Sequence, residues 1–383
     1  MKIRSFYEKL WGEHSLLSIT VAAIILRALF ISVQSGDYRE YLHPWFLELQ
    51  HNGGISSIGR PVGNYMVSYI YILALLTHLP VPDLISIKAV SFLGDILLAL
   101  YAKKLAFAVW KNEKMSNILY TMILFLPTVF LNSAAWAQCD GIYTAALIAC
   151  LYYLQKECPH RAMIAFSVAF VFKLQAVFLA PFLLVAFLQK RIHIRHCFWG
   201  PAIYVLTILP AFLAGRPFKE LLFLYVDQAG TYLALSMNAP NLFSWFPPFY
   251  ENSFLAGCGI LAAAFVTLAV PGYIWYRGIE LKGEALLWVA LFSLFWIPFL
   301  LPHMHERYFF SADILAVTLF MGISKEKYTI LIIPVCSLLL SIRFLTGALW
   351  ISPAMLSIPM LVAGGYLARK MAGLPARRNA GEA

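Results

Sequence analysis

Apolar residues in this chain run in blocks of about twenty, and the polar residues between them fall in short loops. One block takes roughly the length of a membrane-crossing helix. The blocks predict helices over 14–34, 84–102, 116–134, 139–155, 197–214, 254–276, 285–301, 308–324, 328–345 and 351–368. Two stretches break the alternation. Residues 162–189 must leave and re-enter one face, yet 28 residues are too few for two full crossings. They suffice for two half-length helices meeting near Phe172-Lys173-Leu174-Gln175, with Lys173 and Gln175 facing an internal cavity, since broken backbone at membrane depth is tolerated only where it lines a cavity or is buried. Asn64 to Leu79 reads as a re-entrant or interfacial helix whose Tyr65, Tyr69 and Tyr71 suit the interfacial belt.

Composition agrees with the pattern. Apolar residues make up 61% of the chain, charged residues only 13%, and the mean hydropathy is +0.75, outside the range of soluble globular chains. The expectation is one integral domain over 1–383: an all-α polytopic membrane protein with about twelve passes, counting the half-helices. The first apolar block is too long for a signal-peptide core and lacks a clear cleavage site, so it reads as a retained helix. The net charge of +10 does not imply nucleic acid here, because the Lys and Arg residues cluster in loops. Lys2, Arg4 and Lys9, then Lys103, Lys104, Lys111 and Lys114, then Lys190, Arg191 and Arg195, then Arg277 and Lys282, Lys325 and Lys327, and Arg377 and Arg378 all fall on one side, taken as cytoplasmic. That places residues 35–83 and 215–253 outside as two loops. Six scattered cysteines, with no Cys-x-x-Cys, give neither a disulfide framework nor a zinc site.

The chemistry-bearing residues then collect on the outer side. They are Asp37, Arg39, Glu40 and His43; Arg60; Gln138 and Asp140 in WAQCDG; Lys173 and Gln175; Asp227, Asn238 and Asn241; and His303-Met304-His305-Glu306-Arg307. Taken alone, Asp37 reads as a solvated loop acid, whereas HMHER, with two His, a Glu and an Arg at the junction of two apolar helices, suits a lipid-linked phosphate at headgroup level, a snorkelling interfacial cluster being the alternative. Together on one face they point to an external site, because a carboxylate kept at a membrane boundary beside other polar groups is costly unless used. A His-x-His pair with carboxylates also fits a metal, but the adjoining Arg favours an anion.

The motifs GDYREYLHPW after the first helix, Arg60-Pro61 before the interfacial helix, Asp95 in SFLGDILLALY, WAQCDG, FKLQAVFLAPF and HMHERYFF resemble the polyprenyl-phosphate-sugar-dependent glycosyltransferases of the type C fold. The nearest branch is that of bacterial mannosyltransferase-like proteins related to the second GPI mannosyltransferase. The resemblance covers most of residues 30–310, and the last two helices carry no motif of it. More distantly, His303, His305 and Glu306 resemble the HxHE-type segment of the dolichyl-phosphate-glucose glucosyltransferases, from which the chain departs in showing Arg60-Pro61-Val62 where they have a Pro-Pro pair before the external helix. The resemblance implies an inverting transfer of a sugar from a polyprenyl-phosphate donor to a glycan or glycolipid acceptor, with no metal, on the external face of a bacterial plasma membrane. Asp37 would be the catalytic base; Lys173, His303, His305 and Arg307 would hold the donor phosphate; Glu40, Arg60, Gln138, Asp140 and Glu306 would contact substrate. Asp95 would pair within the helix bundle. A lipid-linked sugar transporter or flippase and a membrane O-acyltransferase are the competing classes. The first calls for internal repeats and polar residues on both sides; the second leaves Asp37 without a role.

Overall fold

The computed structural model describes residues 13–322 and 327–376. Lys2, Arg4, Lys9, Lys325, Arg377 and Arg378, used above for orientation, lie outside them. The described chain is mostly helical, with one two-residue parallel pairing of β1 (Ser236–Met237) and β2 (Met304–His305). In order, the helices are α1 (Glu13–Ala28), α2 (His43–His51), α3 (Val67–Leu76), α4 (Asp83–Trp110), α5 (Glu113–Phe125), α6 (Pro127–Ala135), α7 (Asp140–Gln155), α8 (Pro159–Phe172), α9 (Ala180–Leu188), α10 (Trp199–Leu213), α11 (Phe218–Ala229), α12 (Ser253–Tyr276), α13 (Gly283–Leu300), α14 (Phe310–Gly322), α15 (Ile332–Thr346) and α16 (Pro353–Ala372). All six cysteines are unpaired.

By length and hydropathy, five helical stretches among the described residues can cross a membrane: α4, α10 extended back to Ile194, α12, α13, and α15 extended back to Tyr328. The pair α5 and α6, bent by 45°, makes a sixth if taken as one span. Twelve crossings are therefore not what helix length gives. α1, α3 and α8 are apolar but have fewer than 18 residues. The 28 residues of α4 instead run on past the expected boundary at 102, so Lys103 and Lys104 sit in the helix. Two helices were also invisible to the apolar-block reading. α2 and α11 lie in the expected external loops and carry too many polar residues to register as apolar runs.

Helix ends follow local chemistry. Lys111 closes α4 in the left-handed conformation (φ 54°), and Asn112 caps α5 by accepting from the Met115 N–H. Asn252 and Ser352 cap α12 and α16 in the same way. The broken pair expected over 162–189 is present: α8 stops at Phe172, Lys173 is extended (φ −149°, ψ 135°), and a 3-10 turn Leu174–Leu179 leads into α9.

α4 and α7 pack closely where they cross. A Cβ on Gly94 would meet Ile142 Cγ1 at 2.7 Å, and one on Gly141 would meet Asp95 Oδ1 at 2.7 Å. Small residues let two apolar helices approach backbone to backbone, which is how helices gain packing when lipid removes the hydrophobic drive. The crossing fixes the first turn of α7, and hence Asp140.

Candidate functional site

Four chain breaks meet at one end of the bundle: the turn after α1, the turn before α7, the break after α8, and the segment between α13 and α14. Each delivers charge. Asp37 follows α1 by nine residues, Asp140 opens α7, Lys173 sits at the α8 break, and Arg307 precedes α14. These four form a chain of ion pairs. Arg307 Nη1 donates to Asp37 Oδ2 at 2.8 Å, and its Nε lies 3.8 Å from Asp140 Oδ2. Lys173 Nζ donates to Asp140 Oδ1 at 2.5 Å, and Asn132 Nδ2 donates to Asp140 Oδ2 at 2.8 Å. Asp37 is separated from Arg307 by 270 residues, so only the fold brings them together.

Asp37 Oδ2 takes two more donors, Trp136 Nε1 at 2.9 Å and Gln138 Nε2 at 2.8 Å. Both come from the WAQCDG turn. The residue between them, Ala137, is buried with φ 62°, a conformation that costs a non-glycine residue on the order of 1 kcal/mol or more. That strained residue separates the two side chains that converge on one oxygen. Tyr65 Oη in turn donates to Gln138 Oε1 at 3.1 Å, which fixes the amide so that its nitrogen faces Asp37. Asp37 Oδ1 accepts no hydrogen bond from the described residues and is not buried.

Asp37, Glu40, Gln138, His305, Glu306 and Arg307 all line one cavity of about 470 Å³, whose wall also carries Trp45, Tyr232 and Phe344. That volume lies in the range of small-molecule sites. Both cations lie over aromatic faces: Arg307 lies 5.4 Å from the Trp136 ring centre, and Lys173 lies 5.4 Å from that of Tyr65. Trp136 is itself stacked on Phe344, with ring centres 4.1 Å apart.

The HMHER run divides. His303 adopts φ 63° and its Nδ1 pairs with the Ala234 carbonyl at 2.7 Å, which ties the loop to the segment before β1. It does not line the cavity. His305 does, packed between Tyr232 and Tyr308. Burial, then the nearby Arg307 and Lys173, hold its pKa down at about 3, so the ring is neutral at pH 7. A neutral imidazole brings no positive charge to the cavity. Glu306 is buried, its Oε2 has no hydrogen-bond partner among the described residues, and burial raises its pKa to about 7. Arg307 has the opposite environment. Asp37 beside it leads the causes that hold its pKa well above the ordinary value, against the cost of burial.

Other expected site residues go elsewhere. Arg60 is exposed and lines no part of the cavity; Gly59 beside it packs on Ala214. Lys173 lies behind the cavity, on a gap of about 30 Å³ that it shares with Gln175, Gln228 and Arg307. His43 pairs with Asp83 at 2.6 Å, and Asn241 holds the Pro298 and Leu301 carbonyls at the end of α13. Asp227 is exposed, and its neighbour Gln228 faces the cavity instead. Asp95 pairs with Arg27 at 2.8 Å inside the bundle. Sequence reading missed Asn132, Trp136 and Phe344. Trp136 lies in the WAQCDG motif, Asn132 lies one helical turn before it, and Phe344 belongs to a helix without a motif.

Among the described residues no three His, Cys, Asp or Glu side chains group as metal ligands would. The divergence of His303 from His305 is the physical reason the His-x-His spacing makes no such group. Compared with known proteins, the chain matches no family model, and no curated protein matches it.

Proposed function

We propose that the protein is an inverting glycosyltransferase of the polyprenyl-phosphate-sugar-dependent, type C class, acting at the outer face of a bacterial plasma membrane. The observation that carries this reading is the disposition of Asp37: one oxygen is pinned by three donors from two distant segments, the other is open, and the carboxylate shares a cavity wall with Arg307. A base must be held in place before the acceptor arrives, and pinning one oxygen leaves the other to take the proton.

In this reading the acceptor hydroxyl loses its proton to Asp37 Oδ1 as its oxygen attacks the anomeric carbon. The bond from that carbon to the phosphate oxygen breaks on the opposite face, and the lipid phosphate leaves with the electron pair. Charge grows on the phosphate, and Arg307 is the cation placed to meet it; its Nε is buried with no hydrogen-bond partner among the described residues. Lys173 acts one step back, through Asp140, which it holds beside Arg307. Because Asp37, Asp140, Arg307 and Lys173 sum to zero charge, a donor phosphate meets a poised guanidinium and not a broadly cationic surface. The aromatic walls from Trp45 and Tyr232 suit the apolar faces of a sugar ring.

The test is direct. Purified protein incubated with a polyprenyl-phosphate hexose, mannose first, should release polyprenyl phosphate in the presence of a glycolipid acceptor. No release from any polyprenyl-phosphate hexose, together with movement of the intact donor across a vesicle membrane, would replace this reading with that of a transporter.

A further inference from the structure

At the far end of α7, α8 and α13 from Asp37 lies a second, larger cleft of about 590 Å³. It opens where α7 ends at Gln155, α8 begins at Pro159, α9 ends at Leu188, α12 ends at Tyr276 and α13 begins at Gly283. The 16 residues of α7 put roughly 24 Å between its two ends, so this cleft is separate from the Asp37 cavity. Its wall carries Lys190, Arg191, Arg195 and Lys282. The two carboxylates on the wall, Glu157 and Glu280, are both engaged by Lys282, each at 3.1 Å. Lys190 makes no ion pair among the described residues, and Arg195 makes only a 3.4 Å contact to the neighbouring His196 ring. Arg191 donates through Nη2 to the Leu154 carbonyl at 2.6 Å, while its Nη1 is buried with no hydrogen-bond partner among the described residues. The cleft therefore holds an excess of cationic donors with capacity unspent.

Its depth decides what would fill that capacity. The apolar stretches Ile194–Leu213, Ser253–Tyr276 and Gly283–Leu300 all start or stop at this cleft, so it sits where hydrocarbon gives way to headgroups. The apolar rim is turned outward: Ile194 is 75% exposed and Trp275 76%. Trp at that level is the residue type favoured at a membrane interface. A ligand with an anionic head for the arginines and acyl chains for Ile194 and Trp275 matches both halves.

We propose that this cleft is a binding site for the phosphate headgroup of an anionic membrane phospholipid, distinct from the site of transfer and independent of what that site does. Each basic residue near an anionic headgroup adds a modest increment, so Lys190→Ala/Arg195→Ala should weaken binding of phosphatidylglycerol by about one order of magnitude. The full chain in neutral detergent, titrated with phosphatidylglycerol and read by native mass spectrometry, should hold one tightly bound lipid that the double variant loses. Lys103→Ala/Lys104→Ala removes the same charge from the C-terminal part of α4 and should leave that lipid bound. Both positions in the test variant are exposed, and an unchanged melting temperature in zwitterionic detergent checks that it folds. Wild-type binding by the cleft variant would overturn the proposal. So would equal losses in the two double variants, which would mean diffuse surface attraction. Full displacement of the lipid by inorganic phosphate at the same concentration would make the cleft a free-anion site and overturn the lipid assignment.

Discussion

Asp37 and Asp95 are built alike and placed differently. Each is held by one arginine, and each accepts three side-chain hydrogen bonds on a single oxygen: Asp37 Oδ2 from Arg307, Trp136 and Gln138, and Asp95 Oδ2 from both Arg27 Nε (3.1 Å) and Nη2 (2.8 Å) and from Ser133 Oγ (2.5 Å). The second oxygen separates them. Asp95 Oδ1 is buried without a partner against the Gly141 crossing, and the side chain is 1% exposed. The Asp37 side chain is 18% exposed and lines a cavity. Donor count alone therefore does not mark a reactive carboxylate; what distinguishes the two is whether the other oxygen can reach a substrate. An arginine on a carboxylate completes a buried pair inside the bundle in one place and lines a cavity in the other.

The sharpest break of this comparison exchanges charge for amide at both positions. Asp37→Asn keeps size and removes basicity, so transfer should fall by about 10²–10⁴-fold, since positioned bases contribute that much. Asp95→Asn should leave turnover per folded molecule near wild type. Equal loss of activity in the two, measured on protein matched for folded fraction, would erase the distinction. Glu40→Gln and Asp140→Asn run alongside decide whether another carboxylate on the same side carries the role.

Stability should invert the ranking. Removing one partner from a buried pair leaves an uncompensated charge, which costs about 3–5 kcal/mol, whereas replacing both with apolar groups is often neutral. Arg27→Met alone should thus lower the unfolding free energy strongly, and Arg27→Met/Asp95→Leu should recover most of it. Chemical denaturation in detergent measures both. A double variant as unstable as the single would show that the pair specifies the packing of α1 on α4 and not only its charge balance.

Glu306 offers a third contrast, a carboxyl in the same cavity without an arginine's direct hold. Its pKa is raised from 4.5 to about 7, chiefly by burial. The folded state therefore binds a proton more tightly than the unfolded one. Its contribution to stability is fully present below about pH 4.5 and is lost as the pH rises through about 7. The shift corresponds to about 3 kcal/mol. Glu306→Gln mimics the protonated form, so it should gain stability relative to wild type at pH 8, with the difference closing by pH 5. A pH-independent difference would mean that Glu306 is not the group titrating.

Much of this arrangement could be read from the chain, and the failures have physical causes. The break at Lys173 followed from counting residues against bilayer thickness, and the site's one-sidedness followed from the loops that carry Asp37, Asp140 and Arg307. The pairing of Arg307 with Asp37 could not be read, because nothing local couples positions 270 residues apart. Nor could the split in HMHER: His303 turns away because its backbone enters the left-handed region, and adjacency in sequence suggested a shared role. Arg60 shows the same error in simpler form. Its charge and side of the membrane placed it with the site, but its exposure depends on how the segment before α3 packs against the end of α10, which no periodicity encodes.

That contrast among cations gives the last and smallest effect. Arg307 reaches Asp37 and lines the cavity, Lys173 reaches only Asp140 and sits behind, and Arg60 touches neither. Charge-assisted hydrogen bonds contribute roughly 1.5–3 kcal/mol, so Arg307→Ala should slow turnover by about one to two orders of magnitude. Lys173→Ala should slow it less, because it acts through Asp140 on the orientation of Arg307, and Lys173→Arg should restore part of the loss. Arg60→Ala should change turnover by less than about twofold, since an exposed residue outside the site rarely matters beyond a few tenths of a kcal/mol. The order Arg307, Lys173, Arg60 in steady-state rates is the signature of distance from the open carboxylate. If Arg60→Ala instead matched Arg307→Ala, the acceptor would have to extend over the segment before α3, and the cavity that Asp37 lines would be only part of the site.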